Sequence, residues 1–370
     1  MSGIRYELRD EQPDEGLIDE LARVHPRIGI AGLLRRRGRR ARLGGVVAPA
    51  VVESFRWDVL DDWGTRWWPQ GIEVLSDPGA AGGHDELLVV SWFAQQVRGT
   101  SHGSRISVVD RRDPRRPRYH HVLLVEPIRG RDGRAAFAPV QIHAGGLARV
   151  GQVLYAAATF GGLRRFELDD ILHVTGRAPF GYRCVLPQSG HETLHGGSDD
   201  DPMRFSFVSV ERSTDPDGGE HLVVGEFGPH ERGRRLGRVP VPVPRVAGSG
   251  RPGTDRVEVV DLEEPGIPRM QGAAVIDSTW FVSASNGREP GELWVGSRAD
   301  AASRTSWRRH REVLPMGPED LAVSADGGRL WSLCEYPRHR GVYAVDARRW
   351  RDEPAADDRA EPPTAGTSAV

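Results

Sequence analysis

The sequence predicts an all-β protein built from repeated four-stranded units, and three observations support this prediction. First, 45 Gly and 27 Pro among 370 residues suit many short strands joined by tight turns. Second, apolar segments of strand length follow one another from residue 51 onward. Third, five of these segments open on a short cluster of polar residues or Gly. The five openings lie at residues 69–72, 143–147, 205–208, 270–273 and 318–321.

Repeated β-units at intervals of several tens of residues are typical of a β-propeller. The strands group into five blades of four, except that the fifth blade has only three strands before the chain becomes polar. Residues 51–60 alternate between apolar and polar side chains, as a half-buried strand does. Because an unpaired sheet edge is unfavourable, we expect this segment to pair with residues 342–346 and to close the ring. A six-bladed ring that uses residues 1–62 more fully is the alternative.

The two ends of the chain differ from the repeat region. Residues 14–24 carry apolar side chains at helical spacing after an acidic start, which predicts a short helix. The basic run at residues 35–42 is expected to be a solvated, flexible arm. We therefore divide the chain into an N-terminal extension (1–50), a propeller (51–350) and a disordered tail (351–370) rich in Ala, Asp, Glu and Pro.

Composition and charge exclude several classes of function. The formal net charge is −2, so no global field selects nucleic acid or an anionic membrane as a partner. No apolar run approaches the ~18–20 residues that span a bilayer. All the basic residues are Arg, which excludes a Schiff-base lysine and a P-loop lysine. The start of the chain lacks the apolar segment of a secretory signal, so we expect a cytoplasmic location. The oligomeric state is left open.

A propeller places the start of each inner strand and the end of the next strand around one mouth of a central channel. Paired carboxylates in a partly dry cleft push their pKa values apart, so that one acts as acid and the other as base. Glu319 and Asp320 are adjacent on a strand, so we expect one to face the channel and the other a blade interface. The candidate catalytic residues are Glu319, Glu226, Glu335 and His143. The candidate substrate-binding residues are Gln70, Gln271, Trp68, Trp92 and Asp320.

The sequence motifs that would indicate a metal site, a disulfide or a cofactor are weaker than those for acid–base catalysis. Residues 191–195 read His-Glu-Thr-Leu-His, a formal match to the zinc motif HExxH, but Gly on both sides leaves no room for the helix that the motif requires. A looser role of this loop in substrate or metal binding stays open. Cys184 and Cys334 each lie in an apolar strand, as buried thiols do, and predict neither a disulfide nor a zinc site. With no nucleotide-binding fingerprint present, the sequence predicts no metal and no cofactor.

Four phrases resemble those of a group of actinobacterial β-propeller proteins that are often labelled only as secreted. They are Trp-Pro-Gln-Gly-Ile (68–72), His-Ala-Gly-Gly-Leu (143–147), Met-Gln-Gly-Ala (270–273) and Gly-Pro-Glu-Asp-Leu (317–321). The resemblance covers about residues 55–346 and implies a propeller fold, but it implies no activity and no catalytic residues. The chain departs from the group in lacking an evident export signal, which suggests an intracellular task.

Three hypotheses for the function follow. The first is an enzyme that acts on a small organic substrate by acid–base catalysis, such as a cyclase or lyase of specialised metabolism. The second is a glycoside-acting enzyme, in which carboxyl groups on different blades flank the bond at about 5–5.5 Å for retention or about 6.5–9.5 Å for inversion. The third is a non-catalytic propeller that binds a ligand or a protein, with a blocked mouth and an exposed apolar patch elsewhere.

Overall fold

The fold is seen in a computed structural model of the chain, which describes residues 5–11, 16–75, 87–96, 101–176, 179–197, 202–211, 221–228, 235–241, 256–297 and 305–353. Within these ranges, no helix is both long enough and apolar enough to cross a membrane. The tail beyond residue 353 and most of the Pro-rich segment at 243–256 lie outside the described residues, so the predicted disorder of the tail stays a prediction.

The described residues form short α-helices and many strands. The helices are α1 (Leu17–Val24), α2 (Gly29–Leu34), α3 (Val59–Trp63) and α4 (Ala347–Asp352). The strands up to residue 139 are β1 (Tyr6–Glu11), β2 (Arg39–Arg40), β3 (Arg42–Leu43), β4 (Val51–Arg56), β5 (Trp67–Val74), β6 (Leu87–Ala94), β7 (Ser104–Asp110), β8 (Arg118–Arg129) and β9 (Ala135–Pro139). The strands from 147 to 263 are β10 (Leu147–Val150), β11 (Val153–Ala157), β12 (Leu163–Glu167), β13 (Leu172–His173), β14 (Cys184–Gly196), β15 (Phe207–Val210), β16 (His221–Gly225), β17 (Leu236–Pro240), β18 (Arg256–Glu258) and β19 (Val260–Glu263). The remaining strands are β20 (Met270–Ile276), β21 (Thr279–Asn286), β22 (Glu289–Ser297), β23 (Ser306–Met316), β24 (Ala322–Val323), β25 (Arg329–Cys334) and β26 (Gly341–Asp346).

Most strands of the described chain pair in antiparallel groups of four. The groups are β5-β6-β7-β8, β10-β11-β12-β14, β15-β16-β17-β19, β20-β21-β22-β23 and β24-β25-β26-β4. The first two groups merge into one larger sheet because β14 runs on from the second group and pairs parallel with β8. The core lies between neighbouring groups. In one cluster, Trp92 of the first group and Trp331 of the last pack with Trp57, and all three side chains are buried.

The first strands of the groups lie side by side in a closed order: β5, β10, β15, β20, β24 and β5 again. They approach so closely that Gly is required where the openings meet. A Cβ atom on Gly71 would lie 2.8 Å from the backbone of Gly146, and one on Gly272 would lie 2.6 Å from the Cα atom of Asp320. The Gly residues of the repeated openings are therefore explained by backbone packing.

The N-terminal strand completes the last group, as predicted. Strand β4 pairs antiparallel with β26, with Phe55 opposite Val342 and Val51 opposite Val345. Its side chains alternate, since Phe55 is 1% exposed and Val52 is 53% exposed. The strand ends at Arg56, earlier than predicted, because Asp58 accepts a hydrogen bond from the amide of Asp61 and begins helix α3.

The N-terminal extension contains more structure than the sequence predicted. Helix α1 is confirmed, but the predicted flexible basic arm is wrong, because β2 pairs with β8 and β3 pairs with β4. The arm is held by charge, since Arg39 forms an ion pair with Asp61 and Arg42 forms one with Asp62. Strand β1 was not predicted at all; it pairs with both β14 and β18.

Replacing Phe55 by Ala should lower the free energy of unfolding by about 3–5 kcal/mol, because the side chain is buried in the strand that joins the two ends of the repeat region. Val52→Ala in the same strand is the matched control and should stay within about 0.5 kcal/mol. Urea unfolding followed by fluorescence measures both values. Equal losses for the two variants would contradict the predicted role of β4.

Candidate functional site

A cavity of about 780 Å³ lies where the five repeated openings meet. Each group of strands contributes one opening residue to its lining: Gln70, His143, Ser206, Gln271 and Glu319. Residues that follow second strands also line it, namely Thr159, Phe227 and Glu335. The volume is within the range of small-molecule sites, and the lining combines apolar surface with a few polar groups, as such sites usually do.

Glu319 lies at the cavity wall with only 2% of its surface exposed. The amide nitrogen Nε2 of Gln271 donates to its Oε1 atom over 3.2 Å. Its backbone is fixed, because its N–H donates to the carbonyl of Leu333 and its own carbonyl accepts from the hydroxyl of Ser283. The backbone at Glu319 is therefore fixed, and the only hydrogen-bond donor to its carboxyl group among the described residues is the neutral amide of Gln271.

Glu335 follows strand β25, in the same group of strands as Glu319. The Nε2 atom of Gln70 donates to its Oε2 atom over 3.3 Å, and the neighbouring Tyr336 side chain also acts to lower the pKa of its carboxyl group. Behind it, the guanidinium of Arg340 donates through Nε to the Glu335 carbonyl over 2.7 Å. Glu335 thus has more partners than Glu319 and a cation nearby.

The two carboxyl groups have different electrostatic environments. Burial, followed by the nearby charges of Glu335 and Asp320, raises the pKa of Glu319 well above its ordinary value. Burial also raises the pKa of Glu335, but hydrogen bonds from Gln70 and Tyr336 and the charge of Arg340 oppose that rise. The rise in pKa is therefore opposed by neighbouring groups at Glu335 and unopposed at Glu319, so the two environments push the pKa values of the two carboxyl groups apart.

His143 lines the cavity next to an aromatic ring. The centre of its imidazole ring lies 4.3 Å from the ring centre of Phe93, and the side chain is exposed to the cavity. Partial desolvation lowers the pKa of His143, so the ring is neutral near pH 7 and offers one donor and one acceptor.

Thr159, which lines the cavity, and Ala144, which follows the lining residue His143, have unusual backbone conformations. Ala144, directly after His143, has a φ of +54°, and Thr159 has a φ of +31°. Positive φ is costly for a β-branched residue, and such strain, of order 1–3 kcal/mol, often accumulates at functional sites. The amide of Phe205 donates to the carbonyl of Thr159 and fixes this conformation.

Glu226 lies away from the cavity, contrary to the predicted catalytic role. It is fully buried and forms a bidentate ion pair with Arg235, with distances of 2.7 Å to Oε2 and 2.8 Å to Oε1. Its carboxylate also accepts the backbone amide of Arg204. All of these contacts hold a loop in place, so the structure gives Glu226 a packing role.

Three predicted substrate-binding residues also do not line the cavity. Trp92 is fully buried and donates through Nε1 to the Ser107 hydroxyl over 2.7 Å. Trp68 stacks edge-on with Tyr336 and donates to a backbone carbonyl. Asp320 is buried between inner strands, where its Oδ2 atom accepts the amides of Ile72 (3.0 Å) and Leu147 (3.1 Å).

Sequence reasoning missed several residues of the cavity lining. Arg164 lies near the start of β12, the third strand of its group. The repeat pattern predicted only residues of first and second strands at the mouth of the channel. Phe160 lies in the turn before β12 and is 73% exposed. A large aromatic side chain directly before Gly161 and Gly162 in a turn was the signal that could have found it, since solvent-facing turn positions are usually polar. Gln141 and Ile142 lie in the segment before His143.

The HExxH phrase lies in strand β14, so the predicted loop is wrong and a zinc-binding helix is absent from this segment. His191 and His195 share one face of the strand, where they contact Glu11 and Thr193. Glu192 points to the opposite face and pairs with Arg165 over 2.6 Å. Among the described residues, no group of three His, Cys, Asp or Glu side chains could hold a metal ion. Both cysteines are buried and free, as predicted.

Comparison with known proteins supports the fold only. No protein-family model matches the sequence, and no curated protein sequence matches it. Among solved structures, the PQQ-bound aldose sugar dehydrogenase of Streptomyces coelicolor is 13% identical, with a TM-score of 0.36, over 84% of this chain and 95% of that one. The propeller domain of Cps50 (Swd1) from Myceliophteria thermophila is 8% identical, with a TM-score of 0.37, over 82% and 99%. The WD40 repeats of RRP9 are 10% identical, with a TM-score of 0.35, over 81% and 99%.

The chain is a mostly β protein with distant structural similarity to β-propeller proteins. Of the resemblance stated from the sequence, only the distant structural similarity to β-propeller proteins is supported, and the link to actinobacterial propeller proteins stays a prediction.

Replacing Glu319 by Gln should reduce the loss of stability at alkaline pH. A carboxyl group whose pKa is raised by folding stabilises the fold fully below its ordinary pKa, and this contribution is lost as pH rises through the raised value. The melting temperature of the wild type should therefore fall more between pH 5 and pH 8 than that of Glu319→Gln. Glu289→Gln, at an exposed residue, is the control and should follow the wild type. Parallel curves for Glu319→Gln and the wild type would contradict the burial argument.

Replacing Asp320 by Ala should lower the free energy of unfolding by about 2–6 kcal/mol, because two buried amides lose their acceptor at about 1–3 kcal/mol each. Asp320→Asn keeps an acceptor oxygen of similar shape and should lose clearly less. Denaturant unfolding measures both. An equal loss of stability in Asp320→Asn and Asp320→Ala would show that the charge of Asp320, and not its acceptor oxygen, stabilises the inner strands.

Proposed function

We propose that the five groups of strands are the blades of a five-bladed propeller and that its central cavity is the active site of a cytoplasmic, cofactor-independent enzyme. The substrate is a small organic molecule, and the reaction is an acid–base step such as a cyclisation or an elimination. The observation that carries this proposal is the pair Glu319 and Glu335, two carboxyl groups in one cavity whose environments separate their pKa values.

The roles of the pair follow from their partners. Glu319, buried and close to a second negative charge, holds a proton that it can donate to a substrate atom that becomes basic. Glu335, supported by Gln70 and by the charge of Arg340, accepts a proton. One proton is given and one is taken, so the step needs no oxidant or reductant.

The glutamines have a positioning role in this proposal. The Nε2 atoms of Gln70 and Gln271 donate to the two carboxyl groups, so these amides fix the acid and the base rather than the substrate. The substrate instead contacts His143, Phe160 and Phe227 at the cavity rim. The exposed rings of Phe160 and Phe227 favour a substrate with a flat or apolar part.

Two alternatives remain as proposals. A glycoside-acting enzyme was expected to use carboxyl groups from different blades, whereas Glu319 and Glu335 come from one group of strands, so no described contact favours it. A non-catalytic binding propeller has one supporting observation, because Val59, Leu60 and Trp63 are exposed together on helix α3. The open cavity, in contrast, is the feature expected of an enzyme.

Glu319→Gln and Glu335→Gln should each reduce turnover by about 10²–10⁴-fold, the usual contribution of a general acid or base. The substrate is found by incubating the purified protein with fractionated metabolite extracts and recording which masses change. Glu289→Gln, at an exposed residue remote from the lining, should convert the same masses at the wild-type rate. Wild-type turnover in Glu319→Gln would overturn the assignment, and binding without any conversion would favour the binding propeller.

The turnover number should follow a bell-shaped dependence on pH. The rate rises as Glu335 ionises and falls as Glu319 loses its proton, and because burial raises both pKa values, both limbs lie above the ordinary range for Glu. Steady-state rates between pH 4 and pH 10 test this. In Glu319→Gln the alkaline limb should disappear from the residual activity; a persisting alkaline limb would assign the acid to another group.

A further inference from the structure

A second cavity, of about 560 Å³, lies between the N-terminal extension and strands β7, β8 and β14. Five arginines line it, namely Arg36, Arg37, Arg39, Arg105 and Arg183, and no carboxylate belongs to its described lining. We propose that this cavity is a binding site for a small molecule that carries a phosphate or diphosphate group.

Arg39 and Arg105 form the floor of the cavity, and both are paired with a carboxylate. Asp61 accepts Nη2 of Arg105 over 2.9 Å and Nη1 of Arg39 over 3.1 Å. The guanidinium of Arg105 is also packed between Trp67 and Trp92, at 4.5 Å and 4.7 Å from the ring centres. These contacts hold the two arginines of the floor in place, and the charge of Asp61 is balanced by them.

The other three arginines, Arg36, Arg37 and Arg183, form the rim of the cavity and are not paired in this way among the described residues. Arg36, Arg37 and Arg183 are exposed and form no ion pair with a carboxylate of the described chain. Three cations therefore converge on one concave site without a counter-charge. A guanidinium presents paired N–H donors that match phosphate oxygens, so a phosphate group is the anion that this rim fits.

Histidine and tyrosine side chains complete the lining. Desolvation, together with the charges of Arg118 and Arg36, lowers the pKa of His120 against the opposing charge of Asp110. Burial and the charge of Arg105 lower the pKa of His121 to about 4 against the opposing charge of Asp61. Both imidazoles are therefore neutral near pH 7, and the positive charge of the described lining comes from the arginines.

Asp61, His121 and Ser107 are linked like a Ser-His-Asp catalytic triad, but the serine is not accessible from the cavity. His121 bonds to Asp61 through Nε2 (2.9 Å) and to the Ser107 hydroxyl through Nδ1 (2.8 Å). Ser107, however, is fully buried and accepts the indole N–H of Trp92. Both ring nitrogens of His121 are thus occupied within the floor, which leaves the cavity a binding role.

The concave shape favours a small molecule over a nucleic-acid strand. Its volume is that of a small-molecule site, and the arginines surround one hollow instead of following a line along the surface, as a phosphodiester backbone would require. The nearby rings of Tyr182 and Phe180 are available to contact the organic part of the ligand.

Isothermal titration of the full chain with inorganic pyrophosphate at low ionic strength tests the proposal. The wild type should show saturable binding that weakens as salt is added. The double variant Arg36→Ala/Arg183→Ala should bind about tenfold or more weakly, and Arg183→Lys, which keeps the charge but loses the paired donors, should lie between the two. Both positions are exposed, so their melting temperatures should match that of the wild type.

Two controls make the result specific. Arg131→Ala, at an exposed arginine outside the cavity, and Glu319→Gln, in the central cavity, should both bind pyrophosphate like the wild type. The proposal is overturned if binding is not saturable, if the double variant binds like the wild type, or if Arg131→Ala loses as much affinity. A single-stranded 20-nucleotide DNA that binds more tightly than pyrophosphate and loses affinity in the same double variant would overturn it in favour of nucleic acid.

Discussion

The close approach of the inner strands is the constraint on which the rest of the structure depends. The strands that meet at Gly71 and Gly272 leave no space for a Cβ atom at these positions, and buried backbone amides at such crossings need acceptors. Asp320 supplies one by accepting the amides of Ile72 and Leu147 with a single oxygen. One carboxyl group thereby joins three groups of strands.

The same constraint creates the candidate site. Glu319 and Asp320 precede strand β24 and face different surroundings, since Glu319 lies at the cavity wall and Asp320 accepts amides of neighbouring inner strands. Burial raises the pKa of both carboxyl groups, and the neighbouring Glu335 and Asp320 add to the rise at Glu319. The acid at the cavity wall and the structural carboxyl group are therefore adjacent in the chain, and the fold and the chemistry cannot be changed independently at this point.

The sequence predicted those features that recur along the chain and missed those that depend on distant partners. The repeated openings placed Gln70, His143 and Glu319 at one mouth, because position within a repeat determines position in space. Glu226 occupied an equivalent position, yet Arg235 neutralises it through a pairing that no periodicity reveals. The basic run was misjudged for the same reason, since its partners Asp58, Asp61 and Asp62 lie in a separate helix and carry no repeat signal.

The exclusive use of arginine has a structural consequence in this chain. Arg340 is fully buried, and burial lowers its pKa to about 10, which still leaves it charged at neutral pH. A lysine starts from a lower pKa and would lose its proton more readily under the same desolvation. Arg105 is likewise buried between two indole rings while it donates to Asp61, and a planar guanidinium can stack and donate at once, whereas an ammonium group cannot. Arginine therefore allows permanent positive charge behind Glu335 in the central cavity and on the floor of the basic one, where lysine could not maintain it.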